Sequence, residues 1–104
     1  MEFKDFQGRK IELSDSSWEH IQESHPEVSL EEIQGVLSDP TEVVECPNQQ
    51  FVELFYRIQL HPTGKQRFRV VVVKVLPAGN FISTAMTTAA MKDGRSLYKK
   101  GDKK

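Results

Sequence analysis

The chain changes from helical spacing to strand-like alternation at Asp39-Pro40, and this change constrains the fold more than any other feature. Before it, apolar residues follow helical spacing at Leu30, Ile33, Val36 and Leu37. After it, apolar and polar residues alternate, as they do from Phe51 to Leu60. Helices first and strands after predict an α+β domain, in which two N-terminal helices pack on one face of a sheet.

The second of these helices has its own start and stop signals. Ser29-Leu30-Glu31-Glu32 fits a capping box, with serine at the N-cap and glutamate three residues later. Asp39-Pro40 ends the helix, because the residue before a proline avoids the helical conformation. The first helix is predicted to begin at Ser14 or Asp15 and to end near His25, which also precedes a proline.

The chain after Pro40 predicts about four main strands. They cover residues 41–45, 51–60, 67–76 and 81–88. Proline and glycine mark the turns at 61–65 and 77–80, and such short hairpin connections make the sheet antiparallel. Near the N-terminus, alternation on both sides of Gln7-Gly8-Arg9 indicates a hairpin or two short extended pieces.

The inner faces of these elements supply the predicted core. It consists of Trp18, Ile21, Ile33, Leu37, Leu54, Tyr56, Val70 and Val72. The strand at 67–76 is predicted to lie centrally, because the four valines at 70–73 offer apolar side chains to both faces of the sheet.

Composition limits the class of protein. The chain has 104 residues and a formal net charge of −1, which suits a single domain over 1–104 with a flexible basic tail at 99–104. Its longest apolar run is four valines, so we expect no membrane span, and we expect no secretory signal. The single cysteine forms no internal disulfide. We therefore expect a cytoplasmic protein, and the small net charge argues against broad, non-specific nucleic-acid binding.

His20 and His25 are the candidate acid–base residues, because an unperturbed imidazole titrates near neutrality. Five helical residues turn the chain by about 500°, which leaves the two rings about 140° apart and does not make a metal-binding pair. The alternatives are a solvated surface histidine for His20 and a helix-terminal ring that caps carbonyls for His25.

Cations on the strands are candidate phosphate ligands. Arg57 lies beside a strand that carries Arg69, and guanidinium forks match phosphate geometry. Lys74 interrupts an apolar strand and is a further candidate. The alternatives are cross-strand salt bridges for the arginines and an exposed strand end for Lys74.

Two residues near the C-terminus complete the candidate site. Thr84, in the last predicted strand, can donate a hydrogen bond to a phosphate, and ordinary sheet packing is the alternative. Tyr98 can stack on a base, or it can anchor the tail to the body of the domain.

Together these motifs resemble the barnase–EndoU–colicin–RelE group of ribonucleases, and in particular its phage-associated and BrnT-like branches. The resemblance spans roughly residues 17–98. It is carried by Trp18-x-His20-Ile21, His25-Pro26-Glu27, the capped helix that ends at Asp39-Pro40, and the strand that ends in Ile82-Ser83-Thr84-Ala85.

The resemblance implies a compact ribonuclease that works without a metal or other cofactor, through attack of the RNA 2′-hydroxyl on the adjacent phosphate. The implied partners are an RNA substrate and an antitoxin or immunity protein. The roles that the resemblance implies are base or acid for His20 or His25, phosphate stabilisation for Arg57 and Lys74, and transition-state donation for Thr84. From their own chemistry, Lys74, Arg69 and Tyr98 are the candidate substrate-binding residues.

Two other interpretations remain open: a non-catalytic relative that binds a protein or nucleic acid, and a domain with a structural or small-ligand role. Geometry separates them. An enzyme is favoured if His20 or His25 reaches Arg57 and Thr84 across one cleft, and it is disfavoured if the histidines lie on another face. The sequence does not determine the oligomeric state.

Overall fold

The computed structural model describes residues 1–60 and 63–101 and shows an α+β domain. The helices are α1 (Asp15–Ser24) and α2 (Leu30–Ser38). The strands are β1 (Glu2–Lys4), β2 (Lys10–Glu12), β3 (Glu42–Glu45), β4 (Val52–Leu60), β5 (Gln66–Leu76), β6 (Gly79–Thr88) and β7 (Ser96–Lys99). His61 and Pro62 of the predicted turn, and residues 102–104 of the predicted tail, lie outside the described residues.

The predicted architecture of two N-terminal helices on about four antiparallel strands is wrong. Within the described ranges of the chain, seven strands form one sheet in the order β1-β2-β6-β5-β4-β3-β7. The sheet is mixed, because β2 pairs with β6 in parallel while the other neighbouring strands pair in antiparallel fashion. The helices are not N-terminal either, since the β1–β2 hairpin precedes them and joins the same sheet.

The strands outside the four predicted main strands are short, and their places in the sheet depend on distant pairings. β1 and β2, with three residues each, form a hairpin where alternation around Gln7-Gly8-Arg9 indicated one, whereas the four residues of β7 had no such signal. The parallel pairing joins Ile11 to Asn80. Because these residues are far apart in sequence, no turn motif indicates the pairing. The number of strands therefore depended on tertiary pairings, which single-sequence patterns do not report.

Both helices begin at side-chain caps. The Ser14 side chain accepts a hydrogen bond from the backbone of the first turn of α1, at 3.1 Å. The capping box predicted for α2 is confirmed: the Glu32 backbone N–H donates to Ser29 Oγ, and the Ser29 backbone N–H donates to Glu32 Oε1, each at 3.1 Å. In the part of the chain that the structure describes, neither helix has the length and apolar character needed to cross a membrane.

The core lies on both faces of the sheet. The larger part fills the helix-facing side, with Phe3, Ile11, Leu13, Ile21, Val28, Ile33, Val36, Leu37, Val43, Phe55, Val71, Val73, Ile82 and Ala85. A smaller cluster on the other side contains Val44, Val52, Leu54, Tyr56 and Val70. Six of the eight predicted core residues are buried, whereas Trp18 and Val72 are only partly buried against these clusters.

The segment 89–95 covers part of the smaller cluster. Its Lys92 backbone N–H donates to the Tyr56 hydroxyl at 3.0 Å, and burial raises the pKa of that tyrosine. Gly94 passes so close to β3 that a Cβ there would lie 2.3 Å from the carbonyl oxygen of Glu45. A glycine is therefore required for this segment to lie against the sheet.

Different groups cover the two ends of the helix-facing side. At one end, Phe6 of the β1–β2 loop packs edge-on against Phe55, with ring centroids 6.2 Å apart, and lies 4.3 Å from the Tyr98 ring. At the other end the inward-facing residues of the central strands change from apolar to polar. This polar end contains the candidate functional site.

Candidate functional site

A row of three polar side chains crosses the helix-facing side of the sheet. Arg57 of β4 is paired with Arg69 of β5, which is paired in turn with Thr87 of β6. Residues directly opposite each other on neighbouring strands point to the same face, with Cβ atoms about 5 Å apart. The connection between α1 and α2 meets this row, because its Glu27 accepts a hydrogen bond from Thr87.

Arg69 is the buried centre of the site, with 7% of its surface exposed. Its Nε and Nη2 donate to Glu32 Oε2 at 3.1 and 2.5 Å, and its Nη1 donates to the hydroxyl of Thr87. All three guanidinium nitrogens are therefore engaged by protein acceptors. A buried charge is retained only with such pairing.

Glu32 joins the helix cap to the sheet. One carboxylate oxygen accepts from the backbone of Ser29, and the other accepts from Arg69 and, at 3.3 Å, from Gln59 Nε2. Burial is the largest single influence on its pKa and raises it, but the hydrogen bonds from Arg69, Ser29 and Gln59, with the charge of Arg69, together leave the pKa of Glu32 lowered. The carboxylate is thus held in its charged form.

Glu27 and His25 form the solvent-accessible part of the site. His25 Nδ1 lies 4.0 Å from Glu27 Oε2, and their side chains are 31% and 45% exposed. The same carboxylate oxygen accepts from the Thr87 hydroxyl at 3.0 Å and lies 3.8 Å from Arg69 Nη1. The backbone N–H of Glu27 has the largest influence on the pKa of this carboxylate and lowers it. Burial comes next and raises the pKa, and Thr87, His25 and Arg69 lower it further, so that the pKa of Glu27 is lowered.

Arg57 occupies the outer end of the row. Its side chain is 43% exposed, and its Nη2 lies 3.8 Å from the Asp39 carboxylate at the end of α2. Its Nη1 lies against Gly35, where an added Cβ would come within 2.7 Å. This distance to Asp39 is longer than a hydrogen bond, so Arg57 is held more loosely than Arg69.

The site is not a basic patch. In the ion pairs of the described residues, the guanidinium groups of Arg57 and Arg69 face three carboxylates, those of Glu27, Glu32 and Asp39. Such an arrangement combines an accessible carboxylate, an accessible imidazole and one partly exposed cation. These are the groups that general acid–base chemistry on a phosphate ester requires.

The structure gathers some of the predicted site residues and separates others. His25, Arg57 and Arg69 lie at the polar end of the helix-facing side. His20 is exposed on α1. Thr84 is paired with Val72, next to the inward-facing Ala85, so it points to the opposite face of the sheet.

Two further predicted ligands also lie away from the row. Lys74 is exposed and paired with Val52, which places it on the face opposite the helices. Tyr98 lies in β7 and packs against Phe6. In the sheet, β7 is three strands away from β5, which corresponds to about 14 Å between the two strands. The geometric condition set by the sequence, that His20 or His25 reaches Arg57 and Thr84 across one cleft, is therefore not met for Thr84.

Sequence reasoning missed Glu27, Glu32 and Thr87 as members of the site. Glu32 was assigned only to the capping box, although its second oxygen is free to bind another group. The alternation of side chains along β6 could have identified Thr87. Thr87 lies two residues from the apolar Ala85, and it therefore points to the same face of the sheet. For Glu27, the sequence offers no motif beyond its position directly after His25-Pro26.

Within residues 1–60 and 63–101, no group of three or more histidine, cysteine, aspartate or glutamate side chains is arranged to hold a metal ion. Comparisons of the chain with protein-family models, with curated proteins and with solved structures found no match.

Proposed function

We propose that this protein is an endoribonuclease that works without metal, in which the RNA 2′-hydroxyl attacks the neighbouring phosphate. The observation that supports the proposal best is the accessible His25 lying 4.0 Å from the Glu27 carboxylate, beside a row of two arginines. A carboxylate and an imidazole can act as base and acid in one proton-transfer sequence.

The proposed reaction divides the proton transfers between these two side chains. Glu27 takes the proton from the 2′-hydroxyl, and the oxygen then forms a bond to phosphorus. The bond from phosphorus to the 5′-oxygen breaks, and the imidazolium of His25 donates a proton to this leaving oxygen. The products are a 2′,3′-cyclic phosphate and a 5′-hydroxyl end.

Arg57 supplies the cation that meets the phosphate in this proposal. It is partly exposed, and its 3.8 Å separation from Asp39 leaves its donors available to an anionic ligand. Charge develops on the phosphate oxygens in the transition state, where a positioned guanidinium stabilises it. Arg69 contributes from beneath by keeping Glu27 and Thr87 in place.

The resemblance of the sequence to the barnase–EndoU–colicin–RelE group is part of this proposal, as is a protein inhibitor of the antitoxin or immunity type. Such an inhibitor would have to cover His25 and Arg57, the accessible members of the site.

An RNA cleavage assay in EDTA tests the proposal. We expect the wild type to release products with 2′,3′-cyclic phosphate ends, and His25→Ala to lower the rate by about 10²–10⁴-fold, as loss of a general acid does. His20→Ala is the matched control, because it removes an exposed histidine of α1. Equal losses in the two variants, or a linear 3′-phosphate as the first product, would contradict the assignment.

A non-catalytic binding module of the same fold is the second candidate. The observation that favours it is the complete engagement of Arg69 by Glu32 and Thr87, which leaves one arginine rather than two for a phosphate. The same assay separates the two candidates. A well-folded wild type that cleaves no RNA, in EDTA or with magnesium, supports the binding module.

A further inference from the structure

Thr87 occupies a connecting position between the buried and the accessible parts of the site. Its hydroxyl accepts from Arg69 Nη1 on the buried side and donates to Glu27 Oε2, at 3.0 Å, on the accessible side. A hydroxyl can do both at once, because it carries one donor hydrogen and two acceptor lone pairs. An amide or a carboxylate would not bridge these two groups with one atom.

The direction of these hydrogen bonds follows from the anchoring of Arg69. A guanidinium only donates, and Nε and Nη2 are already committed to Glu32. The remaining Nη1 must therefore find an acceptor, which makes the Thr87 oxygen the acceptor and directs its hydrogen to Glu27. The direct separation between Nη1 and Glu27 Oε2 is 3.8 Å, too long for a hydrogen bond of its own.

We propose that Thr87 is a positioning residue, which transmits the fixed position of Arg69 to the Glu27 carboxylate and so holds this carboxylate beside His25. Its role in RNA cleavage rests on the proposed function, whereas its role in placing Glu27 does not. Thr87 itself does not touch the substrate in this arrangement.

The electrostatic surroundings of Glu27 make the role measurable. Among the described residues, the charged groups that face this carboxylate are His25, on its own connection, and Arg69, from β5. Glu32, from α2, lies on the other side of the same guanidinium. Two uncharged donors also act on this carboxylate, the backbone N–H of Glu27 and the side chain of Thr87, and the hydrogen bond from Thr87 favours the ionised form of Glu27.

The test replaces the hydroxyl without changing the shape of the side chain. Thr87→Val is close to isosteric and suits a strand, and Thr87→Ser keeps the hydroxyl. Thr84→Val is the matched control, because it makes the same change in the same strand on the opposite face of the sheet. In an NMR titration, we expect the pKa of Glu27 to rise in Thr87→Val and to stay at its wild-type position in Thr87→Ser and Thr84→Val.

The activity measurement uses the same variants. Because Glu27 must be ionised to act as a base, the acidic limb of the cleavage profile should move to higher pH in Thr87→Val. The rate near neutrality should fall about tenfold, the usual scale for one lost hydrogen bond to a charged group. Thr87→Ser should restore both, which a purely structural role of the methyl group would not explain.

The two measurements separate this inference from the proposed function. A shifted Glu27 titration in a protein that cleaves no RNA supports the positioning role and contradicts the nuclease. An unchanged titration in a folded Thr87→Val overturns the positioning role, whatever the activity. Should valine prevent folding, the titration of Thr87→Ala decides in the same way.

Discussion

Two arginine clusters lie at opposite ends of the helix-facing side of the sheet, and each joins one arginine to two carboxylates. The Arg9 cluster consists of Arg9, Asp5 and Glu53, and the Arg69 cluster consists of Arg69, Glu27, Glu32 and Thr87. Their strand positions are four residues apart along β5, about 13 Å, since Glu53 pairs with Val73.

The clusters differ in what accompanies the charges. Arg9 lies 2.7 Å from both of its carboxylates, and the hydrogen bond that it donates to Glu53 is the largest influence that raises its pKa. Asp5 also accepts the backbone N–H groups of Gln7 and Arg9, so this cluster closes the β1–β2 loop. The Arg69 cluster adds the hydroxyl of Thr87, and the accessible His25 lies beside it. Ion pairs alone therefore stabilise the fold, whereas the hydroxyl and the histidine also provide groups that can transfer protons.

The largest expected difference between the clusters is in catalysis. Glu27→Gln removes the proposed base, and we expect cleavage of RNA to fall at least about 100-fold. Glu53→Gln makes the same change in the Arg9 cluster and should leave the cleavage rate within about twofold of wild type. Initial rates on one RNA substrate, measured for both variants, provide the comparison. Similar losses in the two would show that charge pairing, and not proton transfer, sustains the activity.

The next difference is in stability. Arg69→Met leaves the partly buried Glu32 without its cation, and we expect a loss of about 3 kcal/mol in the free energy of unfolding, at the lower end for a broken buried ion pair. The Arg9 side chain is more exposed, at 28%, and its buried partner Asp5 keeps the backbone N–H donors of Gln7 and Arg9 when the guanidinium is lost. Arg9→Met should therefore cost about 1 to 2 kcal/mol. Urea denaturation measures both losses. A larger loss at Arg9 would show that the buried Asp5 carboxylate, rather than the burial of the arginine, sets the cost.

The pH dependence of stability should also belong to the Arg69 cluster. The pKa of Glu27 and that of Glu32 are both lowered in the folded protein from an ordinary value of 4.5. Groups of this kind contribute stability that is present above the unfolded pKa and is lost as the pH falls through the folded pKa.

Stability should therefore decline as the pH falls below about 4.5, and Glu32→Gln should make that decline shallower. Urea denaturation at a series of acidic pH values measures the slope. A slope that Glu32→Gln leaves unchanged would assign the acid sensitivity to other carboxylates.

The smallest expected effect concerns Arg57, the loosely held neighbour of the Arg69 cluster. Gly35→Ala places a Cβ 2.7 Å from the present position of Arg57 Nη1, and this flexible group must move. Alanine should stabilise α2 by up to about 1 kcal/mol, because glycine is a poor helix former. If Arg57 binds phosphate from its present position, cleavage should fall by about threefold through KM. A stabilised protein with an unchanged KM would show that Arg57 does not bind phosphate from its present position.

Local sequence patterns predicted those parts of the fold that are determined by interactions between residues close in sequence. The capping box at Ser29 and the alternation of Phe51 to Leu60 each report interactions within a few residues, and both elements formed where the patterns lie. The pairing of β2 with β6 brings together residues that are far apart in sequence, and it cannot be read from either segment alone.

The site was predictable only to the same extent. His25 was proposed from its chemistry, and Arg57 and Arg69 were proposed from their positions on neighbouring strands, whereas their direct pairing depends on the register between β4 and β5. Thr84 and Thr87 have the same chemistry and lie three residues apart, so the direction of each relative to the helices decided between them. That direction depends on which face of the strand the helices cover, and this is a property of the assembled sheet.

The parallel pairing of β2 with β6 has a consequence for the synthesis of the chain. Apart from its hairpin partner β1, β2 forms its sheet contacts with residues 80 and 81. A ribosome therefore releases the N-terminal hairpin long before its neighbour in the sheet exists, and the backbone groups on one side of β2 stay open in the meantime. Contacts of this range slow folding, and open strand edges attract other chains. The β1–β2 hairpin can therefore join the sheet only after residues 80 and 81 have been synthesised.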